Sequence, residues 1–506
     1  MSFKEVKILR KEGEIHKAYK LAKQDLKNDP DDIWNKRSVA WVLYDYLKKC
    51  NEENNIDNFI TGLSLFTNLN LPDTETMVFN SMSFQIGKII FYLNKSGNVD
   101  YQLINKIFDL IKDYHFTKPS DGYSFLYKSF HKAYKNWSRY LEFADWWGFV
   151  NFKEEDYLNE KLNRKSIMSV VEQTYIAYAN KLLQGSDIVT ELGFVQEKQV
   201  DKTKIKEFII KLDNIIKLYP KYQYPVYYKV KLLMAIGEKE GLLDLYLPFA
   251  KQKKNDFWVW ELMADIYDVD KEMQLSCLCK ALSSRIPDKF LIGTRKRIIP
   301  FLIDKEYFDE AKTEVVKIQE TTQVNGWKER PDIVKMVNSE WFKTAVEKND
   351  NKLFYKANLC LADELLYKDI PKEIVAVEFV NKNKRILNFI KNKDLEGFFK
   401  YSDFIDNPKI GDVLEVRLNK TKNNGFYNVY SLKLMPKETN CSAIKPFKGK
   451  LRLINENIGF VNNIFIGQDI IKRYNLVDKK EITGNAIMSY DKKKEEWGWK
   501  AIVVCV

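Results

Sequence analysis

The texture of this chain changes once, near Pro371, and the two sides cannot belong to one kind of fold. Upstream, apolar residues recur at helical spacing. Downstream, from Glu373-Ile374-Val375-Ala376-Val377-Glu378-Phe379 onward, short β-branched and aromatic runs alternate with turn residues to the end. At 506 residues the chain is too long for one core. Glycine (20) and proline (13) are both scarce, which favours long helices over a turn-rich all-β chain. No run of eighteen apolar residues occurs, so no membrane span is expected. Met1-Ser2-Phe3-Lys4-Glu5-Val6-Lys7 is too charged for a secretory h-region. Six scattered cysteines lack metal spacing, and a reducing cytoplasm fits them best.

The clearest upstream unit runs from Arg10 to Pro30. A turn residue, Gly13, precedes small residues one helical turn apart at Ala18 and Ala22, and Pro30 closes the helix. This looks like the second helix of a tetratricopeptide repeat. Trp260-Glu261-Leu262-Met263-Ala264-Asp265-Ile266-Tyr267 is similar to the first helix of such a repeat, and Glu306 to Lys312 supplies a third match. Degenerate helical stretches are expected at Ile33–Lys49, Thr76–Leu93, Gly122–Phe143, Ser166–Leu183 and Lys204–Leu218, with a final amphipathic helix from Asn351 to Tyr367. The expectation is an α-solenoid over residues 1–370, offering a concave surface to a protein partner or to itself. Phe143 to Phe152 holds five aromatics in ten residues, as an interaction patch or as the plug between helical stacks.

Two five-strand units of about sixty residues each are expected downstream. The first places strands at Ile374–Val380, Arg385–Lys391, Gly397–Tyr401, Val413–Leu418 and Phe426–Leu434. The second places them at Phe447–Ile454, Gly459–Val461, Ile464–Ile466, Glu481–Ser489 and Trp497–Val504. Asn424-Gly425 and Asp491–Glu496 read as hairpin tips, and polar Lys437–Ser442 separates the units. Gly459-Phe460-Val461, a polar Asn462-Asn463 turn and Ile464-Phe465-Ile466 put one aromatic on each of two adjacent strands. Glycine ahead of Phe460 would let a flat ligand approach the backbone.

Those residues resemble the paired ribonucleoprotein motifs of cold-shock and related OB-fold domains. The whole chain resembles bacterial proteins that join tetratricopeptide-like helices to cold-shock-like OB domains in conflict loci of the TOTE kind. The implied fold is multidomain and mainly α: a solenoid (1–370) followed by two small OB barrels (373–436 and 445–506). Where a cold-shock first motif reads Lys-Gly-Phe-Gly-Phe-Ile, the first unit has Arg385-Ile386-Leu387-Asn388-Phe389-Ile390. Leu387 then stands for the leading aromatic, and the unit is degenerate. Gly397-Phe398-Phe399-Lys400 replaces the second motif, Val-Phe-Val-His.

The resemblance implies a single-stranded RNA or DNA site. Its candidate residues are Phe389, Phe398, Lys400, Arg452, Phe460, Phe465, Arg473, Trp497, Trp499 and Lys500, with Lys472 nearby. Stacked rings would hold bases and cations would hold phosphates. Charge fits this reading: of the net +12, residues 373–506 carry +8, from 24 Lys and Arg against 16 Asp and Glu. Only twelve arginines are present, so lysine point charges suit sequence-tolerant backbone contact. The alternative is a protein–protein scaffold whose β units touch no nucleic acid, since small barrels also dock proteins. Catalysis is not expected. The three histidines (His16, His115, His131) lack metal-spaced partners, Cys277 and Cys279 would diverge on a helix, and no P-loop, HExxH or GxSxG signature occurs. No cofactor and no metal follow from the sequence. An unrecognised nuclease or toxin is the remaining alternative.

Overall fold

A computed structural model describes all residues except 1, 96–98, 163–164, 190–194, 423–424, 437, 492–494 and 506. The expected hairpin tips at Asn424 and within Asp491–Glu496 therefore lie partly outside the described residues. Two compact units emerge, Met1–Phe249 and Ala250–Val506. Among the described residues no helix is long and apolar enough to cross a membrane.

The first unit is helical. Its helices begin where short polar side chains satisfy free backbone N–H groups. Asp32, Asn55, Asp100, Ser120, Ser169 and Asp201 each accept a first-turn N–H. Ala18 and Ala22, on the helix Ile15–Asn28, are fully buried, as close helix pairing requires. The aromatic-rich stretch is core. Tyr123 stacks on Trp147 at 4.9 Å, and the Tyr123 hydroxyl donates to the Trp147 carbonyl at 3.1 Å. Phe143 and Trp147 are sealed among their neighbours. His131 is buried too, with Nδ1 2.8 Å from the Tyr140 hydroxyl, and burial pushes its pKa down to about 4. Two short hairpins not anticipated from sequence, Glu160–Leu162 with Lys165–Ile167 and Ser186–Val189 with Val195–Gln199, flank the helix Val170–Gln184.

The second unit opens with helical hairpins. Phe257–Ile266 pairs with Lys271–Leu282, and Ile292–Asp304 with Phe308–Val324. Buried Arg295 ties the second pair by donating to Glu314, and it also donates to Asp288 just before that pair, each at 2.6 Å. The expected helix Asn351–Tyr367 is two short ones, Lys352–Asn358 and Cys360–Leu366. Its ladder breaks where the Ala362 N–H donates to Ser276 Oγ at 3.0 Å instead of to the preceding turn.

Among the described residues, eleven strands follow. In the first barrel β1 (Lys372–Asn381), β2 (Ile386–Ile390), β3 (Glu396–Lys400), β4 (Val413–Lys420) and β5 (Tyr427–Leu434) run in the order β3-β2-β1-β4-β5, all antiparallel. A parallel bridge, Phe398 to Phe426, joins β3 to the start of β5 and closes the ring. In the second, β6 (Ile444–Lys450) and β7 (Arg452–Asn455) are two halves of one bent strand. They are followed by β8 (Ile458–Val461), β9 (Ile464–Gly467), a short helix Gln468–Arg473, β10 (Glu481–Asp491) and β11 (Glu496–Cys505). The order β6-β10-β11-β9-β8-β7, with β9 and β11 parallel, closes on the bent strand. Both are OB topologies, reached from nearly the strand positions the alternation implies.

The barrels are fused by a small apolar seam. Ala376, Ile390 and Val413 of the first pack with Cys441, Ala443 and Ile487 of the second. The segment expected to be a polar spacer thus contributes Cys441 to a shared core, joined by Ala443 just after it, and Ser442 Oγ donates to the Lys391 carbonyl at 2.7 Å. The first barrel is also anchored to the helices before it. Buried Arg417 donates to the Tyr367 carbonyl at 3.0 Å and to the Ile370 carbonyl, and Tyr430 packs on Tyr367 at 4.7 Å.

Candidate nucleic-acid interface

Strand alternation decides which rings face out. On β8 and β9, Gly459, Val461, Ile464 and Ile466 are buried in the barrel core, so Phe460 and Phe465 take the opposite face. The two are direct cross-strand partners, their rings edge-to-face at 5.7 Å. The row continues on both sides: Arg452 of β7 pairs with Phe460, and Lys500 of β11 pairs with Phe465. Arg452 and Lys500 are exposed and the rings half-buried. Two rings flanked by two cations therefore line four neighbouring strands, with about 4.8 Å between neighbours.

Gly459 has a different job from the one expected. A Cβ there would lie 2.9 Å from Leu451 Cδ1 and 3.0 Å from Leu453 Cδ2, so its bareness serves core packing and not ligand approach. Gly397 behaves alike in the first barrel, where a Cβ would meet the Tyr427 ring at 2.5 Å.

The tryptophans of β11 do not join the row. Trp499 pairs with Ile464, packs against the barrel core, and has Lys445 Nζ 4.1 Å from its ring centroid. Trp497 packs on the apolar seam and against Tyr490, 5.2 Å away. Both are removed from the stacking set, because the alternation that turns Lys500 outward turns them the other way. Lys472 and Arg473 end the short helix after β9; they are exposed but lie off the sheet row.

In the first barrel the motif register is offset. Phe389 is 0% exposed and packs with Phe399 and Tyr427 in the core; Leu387 is equally buried. Neither can stack a base, which corrects the expectation for Phe389. The outward residue of β2 is Asn388, cross-strand partner of Phe398 on β3 and of Phe379 on β1. Phe398 is half-buried edge-to-face with Phe426, and Lys400 is exposed one pleat further along the same face. Phe379, 53% exposed, was missed. Val375 and Val377 face the core, so simple alternation would send Phe379 inward as well. A bulge between Val377 and Phe379 resets the parity and turns the ring out.

The class is thereby fixed: a helical chain ending in two fused OB barrels, with an aromatic row on the outer face of β7, β8, β9 and β11. Residues 367–430 match S1/CSD-like domain 1 of the TOTE conflict systems, and residues 445–504 match S1/CSD-like domain 2. The C-terminal part of the chain carries this tandem pair. Residues 223–362 match a domain of unknown function, DUF7017. No curated protein matches the chain. Domains of the S1 and cold-shock-like kind suggest a capacity for nucleic acid.

Proposed function

We propose that this protein is a non-enzymatic, cytoplasmic adaptor of a conflict system, binding single-stranded RNA or DNA on the outer face of its second barrel while its helices hold a protein partner. The observation that carries the reading is the Arg452–Phe460–Phe465–Lys500 row. Rings give stacking that every base can use, and flanking cations give backbone attraction. Each stacked base contributes about 1–3 kcal/mol, so two rings supply about 2–6 kcal/mol of the about 8 kcal/mol that micromolar affinity requires, and the two cations add to them.

The test is fluorescence anisotropy of the full chain with labelled oligo(U) and oligo(dT) at two salt concentrations. Salt-sensitive binding that Phe460→Ala with Phe465→Ala weakens about 30-fold or more supports the reading. Absence of binding up to high micromolar protein would remove it and leave the barrels as protein-docking modules.

A further inference from the structure

The two aromatic faces do not stand apart; they border the same seam. In the second barrel, the row Arg452–Phe460–Phe465–Lys500 continues to Ile487, the direct cross-strand partner of Lys500, and Ile487 is a seam residue. In the first barrel, Ile390 and Ala376 pair across β2 and β1 within the same seam. They lie one pleat from Asn388 and its partners Phe379 and Phe398, on the same outer face. A hydrogen bond crosses beside them: Ser489 Oγ, two residues past Ile487, donates at 2.7 Å to Glu378 Oε1, next to Phe379. The bond occupies the Glu378 carboxylate, while Glu396, the cross-strand partner of Ile390, stays exposed on the same outer face.

The partner of Ser489 across β10 and β11 is Gly498, two residues from Lys500. Gly498 is exposed, and a Cβ built on it would meet nothing within 4 Å. Gly498 therefore leaves its own position on the strand open.

From this juxtaposition we infer that one single strand of nucleic acid crosses the seam and engages both barrels at once. It follows Arg452, Phe460, Phe465 and Lys500, passes over Gly498, and reaches Phe379, Phe398 and Lys400. Phe379 is the first ring it meets on the far side. The inference rests on the single-strand reading above and adds to it a continuous path with a length requirement. An OB fold occupies at least about 4 nucleotides, so a strand spanning both needs about 8 or more. Because the seam fixes the barrels together, the second contact forms at high effective concentration, and affinity rises steeply with length.

Anisotropy titrations of the full chain with labelled oligo(U) of 4, 8, 12 and 16 nucleotides provide the test. The expected result is a gain of about 100-fold between the 4-mer and the 12-mer, then a plateau, at one strand per chain. Phe379→Ala, which removes an exposed ring, is expected to weaken the 12-mer about 5-fold or more and leave the 4-mer unchanged. Gly498→Glu, placing an anion at the open position on the path, is expected to bring the 12-mer close to the affinity of the 4-mer. A rise no steeper than the number of registers a longer strand offers (about ninefold for a 4-nucleotide site on a 12-mer), or a 12-mer indifferent to both variants, overturns the continuous path while the second-barrel site stands. No binding at any length overturns both.

Discussion

The two barrels share a topology and differ in what they show to solvent. The second sets Phe460 directly beside Phe465 and brackets them with Arg452 and Lys500. The first separates Phe379 from Phe398 by Asn388 and sends Phe389 inward. The lesson is that counting aromatics in a strand says little until their parity is known. Phe389 and Phe460 look alike in sequence, yet one builds a core and the other a surface. The helical unit shows the limiting case, where Tyr123, Tyr127, Phe143 and Trp147 are all sealed.

The largest expected effect separates inward from outward rings. Phe389→Ala is expected to cost about 3–5 kcal/mol of folding stability, as a cavity in a small core does, whereas Phe379→Ala leaves the denaturation midpoint within about 0.5 kcal/mol of the parent. Urea titration reads both. Equal losses would erase the distinction between the two faces.

Next comes the sealed region. Burial holds His131 neutral, with a folded pKa near 4 against 6.5 when exposed. The folded value is the lower one, so this contribution is complete above pH 6.5 and is lost as pH falls toward 4. At pH 5 the loss is about 2 kcal/mol relative to pH 7. His131→Gln is expected to flatten that dependence, followed by denaturant midpoints at the two pH values.

A smaller effect compares the rings of the two barrels in binding. Phe460→Ala is expected to weaken a 4-mer by about 1–3 kcal/mol, and Phe398→Ala to leave it unchanged. The reverse ranking in anisotropy would move the primary site to the first barrel. The smallest effect belongs to the cations. Lys500→Ala is expected to lower the slope of log affinity against log salt by about 0.7, and Arg473→Ala, off the sheet row, by much less.

Much of the architecture was legible because its signals are local. Small residues at Ala18 and Ala22, the change of texture near Pro371, and β-branched runs at regular spacing mark helices and strands directly. The pairing of Phe460 with Phe465 was legible too, since a tight two-residue turn fixes the register across it. What escaped depends on long-range geometry. The bulge that exposes Phe379 comes from pairing with β2, more than six residues away. The inward turn of Trp499 follows from its parallel pairing with Ile464. The burial of Cys441 and Ala443 requires a second barrel to pack against. Gly459 carried a correct signal, close approach, with the wrong partner assigned: the neighbour is the barrel's own Leu451 and Leu453.

The most direct measurement is oligonucleotide anisotropy of the full chain carrying both Phe460→Ala and Phe465→Ala, with an unchanged denaturation midpoint as the control for folding. The account predicts a loss of about 30-fold or more with salt sensitivity retained, because the cations remain. Parent-like affinity in that doubly substituted protein would contradict it.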